Sequence, residues 1–262
     1  MDNFEIDGIK YRLNGWKPDL PDHRDLLYKS KVIRWPLPTR VDLENLCSSI
    51  ENQGHIGSCT ACASTSAAEA LYLRSNTTVL HLSKLFVYYA TRVWIERKDP
   101  SADAGSFIRD AMKAMATYGS CDESLWPYKP NDYGEAPTQE AKDDAKTRLI
   151  DKYYRCVNFR AILQSLSERY PVVGGFSFPK AGFSAEVRKT GIIPYPKPMD
   201  PIAGGHAVLF VGYDFRKKTI KFANSWGRDW GDRGYGYLPF DFITNGMARD
   251  FWTIRGGTFV NP

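Results

Sequence analysis

The alternation of apolar and polar positions divides the chain into an arm and two unlike halves. Over the first 36 residues neither a period of 2 nor one of 3.6 is sustained, and Pro18, Pro21 and Pro36 interrupt the segment. An extended arm with turns is therefore predicted, not a domain. From Ser58 the run Cys59-Thr-Ala-Cys62-Ala-Ser-Thr-Ser-Ala-Ala-Glu69-Ala-Leu-Tyr-Leu-Arg74 carries Ala on several faces after a Gly57-Ser58 start. That pattern predicts a helix buried on most sides. Apolar spacing predicts further helices over Ser83–Arg97 and Ser106–Tyr118 and a charged one over Gln139–Tyr153. After Tyr170-Pro171 the texture becomes that of strands: 172–178, 206–213, 219–224, 235–238 and 250–254, separated by Gly-, Pro- and Asp-rich turns. A helical lobe followed by a β lobe implies two packed units with a cleft between them.

Composition narrows this picture without redirecting it. With 262 residues, 43% apolar, 25% charged and 14% aromatic, the chain has ordinary globular composition and enough material for one large or two small cores. The apolar run Ala207–Val211 falls far short of the ~20 residues of a membrane-spanning helix, so no membrane partner is expected. The N-terminus is acidic where a secretory leader is basic, and five cysteines do not form an even disulfide framework; a reducing intracellular compartment is the expectation. Net charge is +5, concentrated in the second half. Its densest run, Arg216-Lys217-Lys218, reads as a solvated hairpin tip, not a nucleic-acid surface.

The chemistry concentrates at three places. Gln53-Gly-His-Ile-Gly-Ser-Cys59 is a Gly-rich turn that delivers a cysteine to the first turn of a helix. There the helix dipole and free N–H groups favour a thiolate, making Cys59 a candidate nucleophile. Of four histidines only His206 opens a strand after a flexible Gly204-Gly205 pair, 147 residues beyond Cys59; it is the candidate base. Asn224 suits the third role, since its side-chain oxygen can accept from one ring nitrogen while the other faces the thiol. Trp226 would shield that hydrogen bond from water. The Gln53 amide, with the Cys59 backbone N–H, would stabilise a developing oxyanion.

These motifs, in this order, resemble the papain-like cysteine peptidase family. The resemblance runs from Leu37-Pro-Thr-Arg-Val-Asp42, like a mature-enzyme start, to the C-terminal strands, through Gly205-His206-Ala-Val and Asn224-Ser-Trp-Gly. It implies an α+β papain-like fold: a helical left lobe (about 46–150), an antiparallel β-barrel-like right lobe (about 151–262), and Cys59 facing His206 across the cleft. It also implies peptide-bond hydrolysis through a thioester, with endopeptidase action by a monomer on peptide or protein substrates and with no metal and no other cofactor. Gly105 and Ser106 resemble the segment that pairs with substrate backbone, and Tyr170–Phe176, with Gly175, the strand that helps to form the P2 pocket. Gly205 and Trp226 complete the expected substrate-binding set.

Departures place the chain in a compact, disulfide-poor microbial or viral branch. Thr60 follows the nucleophile where Trp is usual, and Ile56 stands where secreted members have a disulfide cysteine. Thr60 leaves open a binding or regulatory module that keeps the fold without turnover. The Cys59-Thr-Ala-Cys62 spacing also permits a reversible disulfide. The P2 pocket floor is expected near Met247–Arg249: an inward Arg249 would favour acidic side chains, an outward one apolar or aromatic ones. The arm, residues 1–36, resembles the short N-terminal segment of bacterial members. It is expected either to strap the cleft, with removal near Pro36-Leu37, or to pack permanently on the body, residues 37–262.

Overall fold

The computed structural model describes residues 3–6, 9–30 and 36–260. Residues 1–2 and 7–8 of the acidic start, and residues 31–35 next to the expected junction at Pro36-Leu37, lie outside the described residues. The helical lobe is organised around α1 (Cys59–Leu73), buried on nearly all sides as its small residues require. Within it, buried Glu69 accepts from Leu82 N at 2.8 Å and faces the buried Lys84 ammonium at 3.5 Å. Lys84 begins α2 (Lys84–Tyr89), capped by Ser83 Oγ on Phe86 N, and the helix widens into a π turn over Ala90–Ile95. That turn carries buried Arg92, whose guanidinium donates to the carbonyls of Pro100, Ala102 and Tyr133. α3 (Ile108–Thr117) follows a short strand over Ser106–Phe107.

The fourth predicted helix is shorter than expected. α4 (Gln139–Ala145), capped by Thr138, stops, and Arg148–Cys156 is a strand paired antiparallel with Ala248–Phe259. The charged spacing of this stretch mimics a helix, but a long neighbouring strand offers backbone partners, and tertiary pairing overrides weak local preference. Conversely, α5 (Phe159–Ser167) was not predicted; Asn158 Oδ1 caps it at Ala161 N, and Ile162, Leu163 and Leu166 form its buried stripe. Two short helices, α6 (Ala185–Thr190) and α7 (Asp241–Thr244), complete the set.

In chain order the strands are β1 (Asn3–Ile6), β2 (Ile9–Arg12), β3 (Trp16–Lys17), β4 (Arg40–Asp42), β5 (Ser106–Phe107), β6 (Arg148–Cys156), β7 (Val172–Pro179), β8 (Ile202–Asp214), β9 (Thr219–Ala223), β10 (Tyr235–Pro239) and β11 (Ala248–Phe259). The β lobe is one antiparallel sheet in the order β10-β9-β8-β7-β11-β6, with β4 also on β8. All five predicted strands are present in it. Arg216–Lys218 form the exposed β8–β9 turn, held by Asp214 Oδ1 on the N–H groups of Arg216 and Lys217.

The arm does not stay apart from this body. β1 and β2 form an antiparallel hairpin, and β3 pairs in parallel with β5 of the helical lobe. Asn14 N donates to Gly205 O of β8 at 2.8 Å, so one short segment is bonded to both lobes.

Candidate active site

Cys59 is the first residue of α1, and His206 lies within β8 opposite it. Both are fully buried. Cys59 Sγ accepts from Ala207 N at 3.4 Å, which places the sulfur against the residue that follows His206. His206 Nε2 and Asn224 Oδ1 are 2.8 Å apart. Because an amide oxygen only accepts, Nε2 carries the proton and Nδ1 presents a lone pair. Among the described residues Nδ1 has no hydrogen-bond partner, so the imidazole is not bonded to the thiol in this state. Trp226, expected to cover the His206–Asn224 bond, stacks on the imidazole with ring centroids 4.6 Å apart.

Gln53 is tied to the same loop. Its N–H donates to Ser225 O at 2.8 Å, and its Oε1 accepts from Ser225 Oγ at 2.6 Å. That fixes the amide orientation and leaves Nε2 as the free end, which donates to Ile56 O at 2.9 Å and lies 3.5 Å from Arg12 O of the arm. Ser225 N in turn donates to Asn224 Oδ1 at 2.9 Å, so one dipeptide orients both amides.

The charge state differs from the sequence-based expectation. Burial pushes the Cys59 thiol up to about 12 despite the Ala207 N–H, and burial brings His206 down to about 4 despite Asn224. A helix N-terminus favours a thiolate, but complete removal from water outweighs it. Water is removed by the arm. A Cβ built on Gly15 would lie 2.6 Å from Cys59 Sγ and 2.5 Å from Gly57 O.

Each of the five residues expected to bind substrate touches the arm. A Cβ on Gly105, whose φ is +60°, would meet Asn14 O at 2.5 Å. Ser106 N donates to Gly15 O at 2.9 Å. Gly175 and Gly205 lie against the Trp16 indole, and Gly205 N also donates to Asn14 Oδ1 at 3.1 Å. Trp226 meets Tyr11 in a tilted ring contact, centroids 5.1 Å apart, and also stacks on Phe183, which in turn stacks on Phe4. Arg249, at the expected pocket floor, is exposed and donates to Gly246 O at 2.8 Å.

Other groups at the site left no local signal in the sequence. Asp103 accepts from Gly57 N at 2.9 Å and from the Tyr88 hydroxyl, and it pairs with Arg12 of the arm at 3.1 Å. It thereby fixes the loop before Cys59. Further along, Asp19 N donates to Asp250 Oδ2 at 2.7 Å, Trp252 Nε1 donates to Asp19 Oδ2 at 2.9 Å, and Asp25 receives both Arg109 and Arg155. Their Asp and Pro neighbours read only as turns. Cys62 is a free, buried thiol 3.9 Å from Ser58 Oγ, and the other cysteines are free as well.

Comparison with known proteins agrees with this geometry. The family described as papain family cysteine protease matches residues 37–249. The chain belongs to that family. It is a papain-like cysteine peptidase, a thiol protease acting on peptide or protein substrates. An uncharacterized peptidase C1-like protein of Acanthamoeba polyphaga mimivirus is 34% identical over 92% of this chain and 86% of its own length. Xylellain, a cysteine protease from Xylella fastidiosa, superposes with a TM-score of 0.86 at 32% identity, covering 96% of this chain and 99% of that one. A Carica candamarcensis cysteine protease, solved in complex with E-64, shares the fold at 23% identity and a TM-score of 0.64, over 84% of this chain and all of that one.

Proposed function

We propose that this chain is an endopeptidase held latent by its own arm, with Cys59 as nucleophile, His206 as base, Asn224 as its orienter and Gln53 as oxyanion donor. The observation that carries this reading is the seat of Gly15 on Cys59, flanked by arm contacts to every expected substrate-binding residue. In the open enzyme the Cys59 thiol gives its proton to His206 Nδ1 and the sulfur adds to the substrate carbonyl carbon. The oxyanion is met by Gln53 Nε2 and the Cys59 N–H. Collapse expels the amine, which takes the proton from Nδ1, and leaves a thioester. Water then gives a proton to Nδ1 and attacks the thioester; the acid departs and Cys59 regains its proton. All the groups come from one chain, so a monomer suffices.

Two features support latency without self-cleavage. Buried Cys59 and His206 are both neutral under the arm, which removes the thiolate. The Gly15 carbonyl is held by Ser106 N, while Gln53 Nε2 is engaged by Ile56 O. The carbonyl is thus turned away from its stabilising donor. The arm also supports endopeptidase action: it passes from Tyr11 beside Trp226, over Cys59, to Asp19 beside Trp252. A cleft that holds such a run is open at both ends.

The reading is tested by intact mass after incubation with an epoxysuccinyl peptide, comparing the full chain, Gly15→Ala and Cys59→Ala. One adduct, slow in the full chain, fast in Gly15→Ala and absent from Cys59→Ala, is expected. Equal labelling of the full chain and Gly15→Ala would refute the strap, and no adduct in any folded variant would refute the peptidase.

A further inference from the structure

The arm's Trp16 reports the shape of a specificity pocket. Its indole is 5% exposed and lies against two glycines on one face of neighbouring strands, Gly175 on β7 and Gly205 on β8. A Cβ at Gly175 would stand 2.1 Å from Cε2, 2.4 Å from Cδ2 and 2.5 Å from Nε1 of the indole, so this wall follows the pyrrole ring and the ring junction. A Cβ at Gly205 would stand 2.9 Å from Cε3 and 3.6 Å from Cζ3, on the benzo ring. Both walls together therefore follow the full bicycle. Neither glycine has a positive φ, so the backbone at these positions accepts other residues. The close approach of the indole is what requires the absent side chains.

The preceding residue distinguishes packing from pocket. A Cβ on Gly174 would meet Phe251 and Phe210 at 2.8 and 2.9 Å, so that glycine faces the core. By strand alternation Gly175 faces the cleft. Arg249, paired with Gly175 in the β7–β11 register, donates to the Gly246 carbonyl oxygen.

We infer that the slot walled by Gly175 and Gly205 selects substrates with tryptophan at P2, and that Gly175 is the residue that sets this choice. The inference rests on the peptidase reading of the same cleft. A phenyl ring would cover only part of this surface and forfeit contacts over one of the glycines, and a branched aliphatic chain would not match so flat a surface. Gly175→Ala narrows the slot at the five-membered ring, so it penalises indole more than phenyl.

The test uses the full chain with the arm displaced by Gly15→Ala, with Trp16→Gly as a second way of displacing it. Epoxysuccinyl dipeptide probes carrying Trp, Phe, Leu or Ala at P2 are compared by their second-order rates of Cys59 labelling. The Trp probe is expected to lead Phe, and to exceed Ala by at least about tenfold, the scale on which a hydrophobic pocket discriminates. Adding Gly175→Ala should reverse the order of Trp and Phe. Equal rates for all probes, or an order unchanged by Gly175→Ala, would overturn the slot and leave the peptidase standing. If no probe labels Cys59 while iodoacetamide still does, the peptidase reading fails and this inference falls with it.

Discussion

Gly15 sits over Cys59 so closely that a single methyl group on it would stand 2.6 Å from the nucleophilic sulfur. Its backbone φ is not positive, so alanine is tolerated in a released arm and penalised only in the docked one. Overpacking of this kind costs about 1–3 kcal/mol. Gly15→Ala should therefore raise the open population, and with it the rate of Cys59 labelling, by roughly five- to a hundredfold. Thermal unfolding of the body should be little changed. A labelling rate equal to that of the unaltered chain would mean that the arm does not gate access.

The buried charge state gives a second prediction. Docking holds the Cys59 thiol near 12 and His206 near 4. The thiols of Cys47, Cys121 and Cys156 are also pushed up to about 12 by burial, so they stay silent at neutral pH. Ultraviolet titration of the full chain should then show no thiolate step between about pH 5 and pH 9, whereas Gly15→Ala should show one that Cys59→Ser removes. A step of full amplitude in the unaltered chain would contradict the docked geometry.

Gln53 is a test of oxyanion stabilisation because its amide is already oriented by Ser225. In the Gly15→Ala background, Gln53→Ala should lower kcat by about 10²–10³ with a much smaller change in KM, the range for loss of one oxyanion donor. Asn224→Ala should also lower kcat, and Asn224→Gln should not restore it if the 2.8 Å contact to His206 Nε2 sets the ring orientation. Equal kinetics for Gln53→Ala and its parent would assign the oxyanion to other donors.

The candidate catalytic groups that the structure brings together are each announced locally: a Gly-rich turn before Cys59, a glycine pair before His206, and tryptophans around Asn224. The sheet was legible from short apolar runs, but β6 was not, because the charged stretch Gln139–Tyr153 reads as one helix until β11 supplies a partner. The arm's role was legible only as two alternatives. Its anchors join residues far apart in sequence, as with Asp19 and Asp250 or Arg12 and Asp103, and a turn-forming Asp looks the same whether or not a distant partner exists. The Trp16 slot is defined by missing side chains at Gly175 and Gly205, which a sequence pattern does not distinguish from ordinary strand glycines.

Acidification should tighten the Asp19 anchor. Burial first, and then the facing Asp250 carboxylate, push Asp19 up from 3.8 to about 6, against the opposing Trp252 and Arg109 hydrogen bonds. Burial also raises Asp250, with Arg155 and Arg249 acting against it. A docked group with a raised acid pKa contributes stability that is fully present below 3.8 and lost as pH rises through about 6. Asp25 has the opposite sign: burial would raise it, but the guanidinium groups of Arg109 and Arg155 outweigh burial and hold it low, so its contribution is lost only at pH values below its ordinary range. His206 also opposes the Asp19 effect, since docking lowers it from 6.5 to about 4 and protonation favours release. Asp19→Asn isolates the anchor, because His206 and Asp25 titrate in both proteins and cancel in the ratio. The protection of arm amides against hydrogen exchange, taken as full chain over Asp19→Asn, should rise as pH falls from 7 through about 6 towards 4. A ratio that is flat or falls across that window would show that Asp19 docks in its ionised form and that the arm is held by the Asp25 pairs instead.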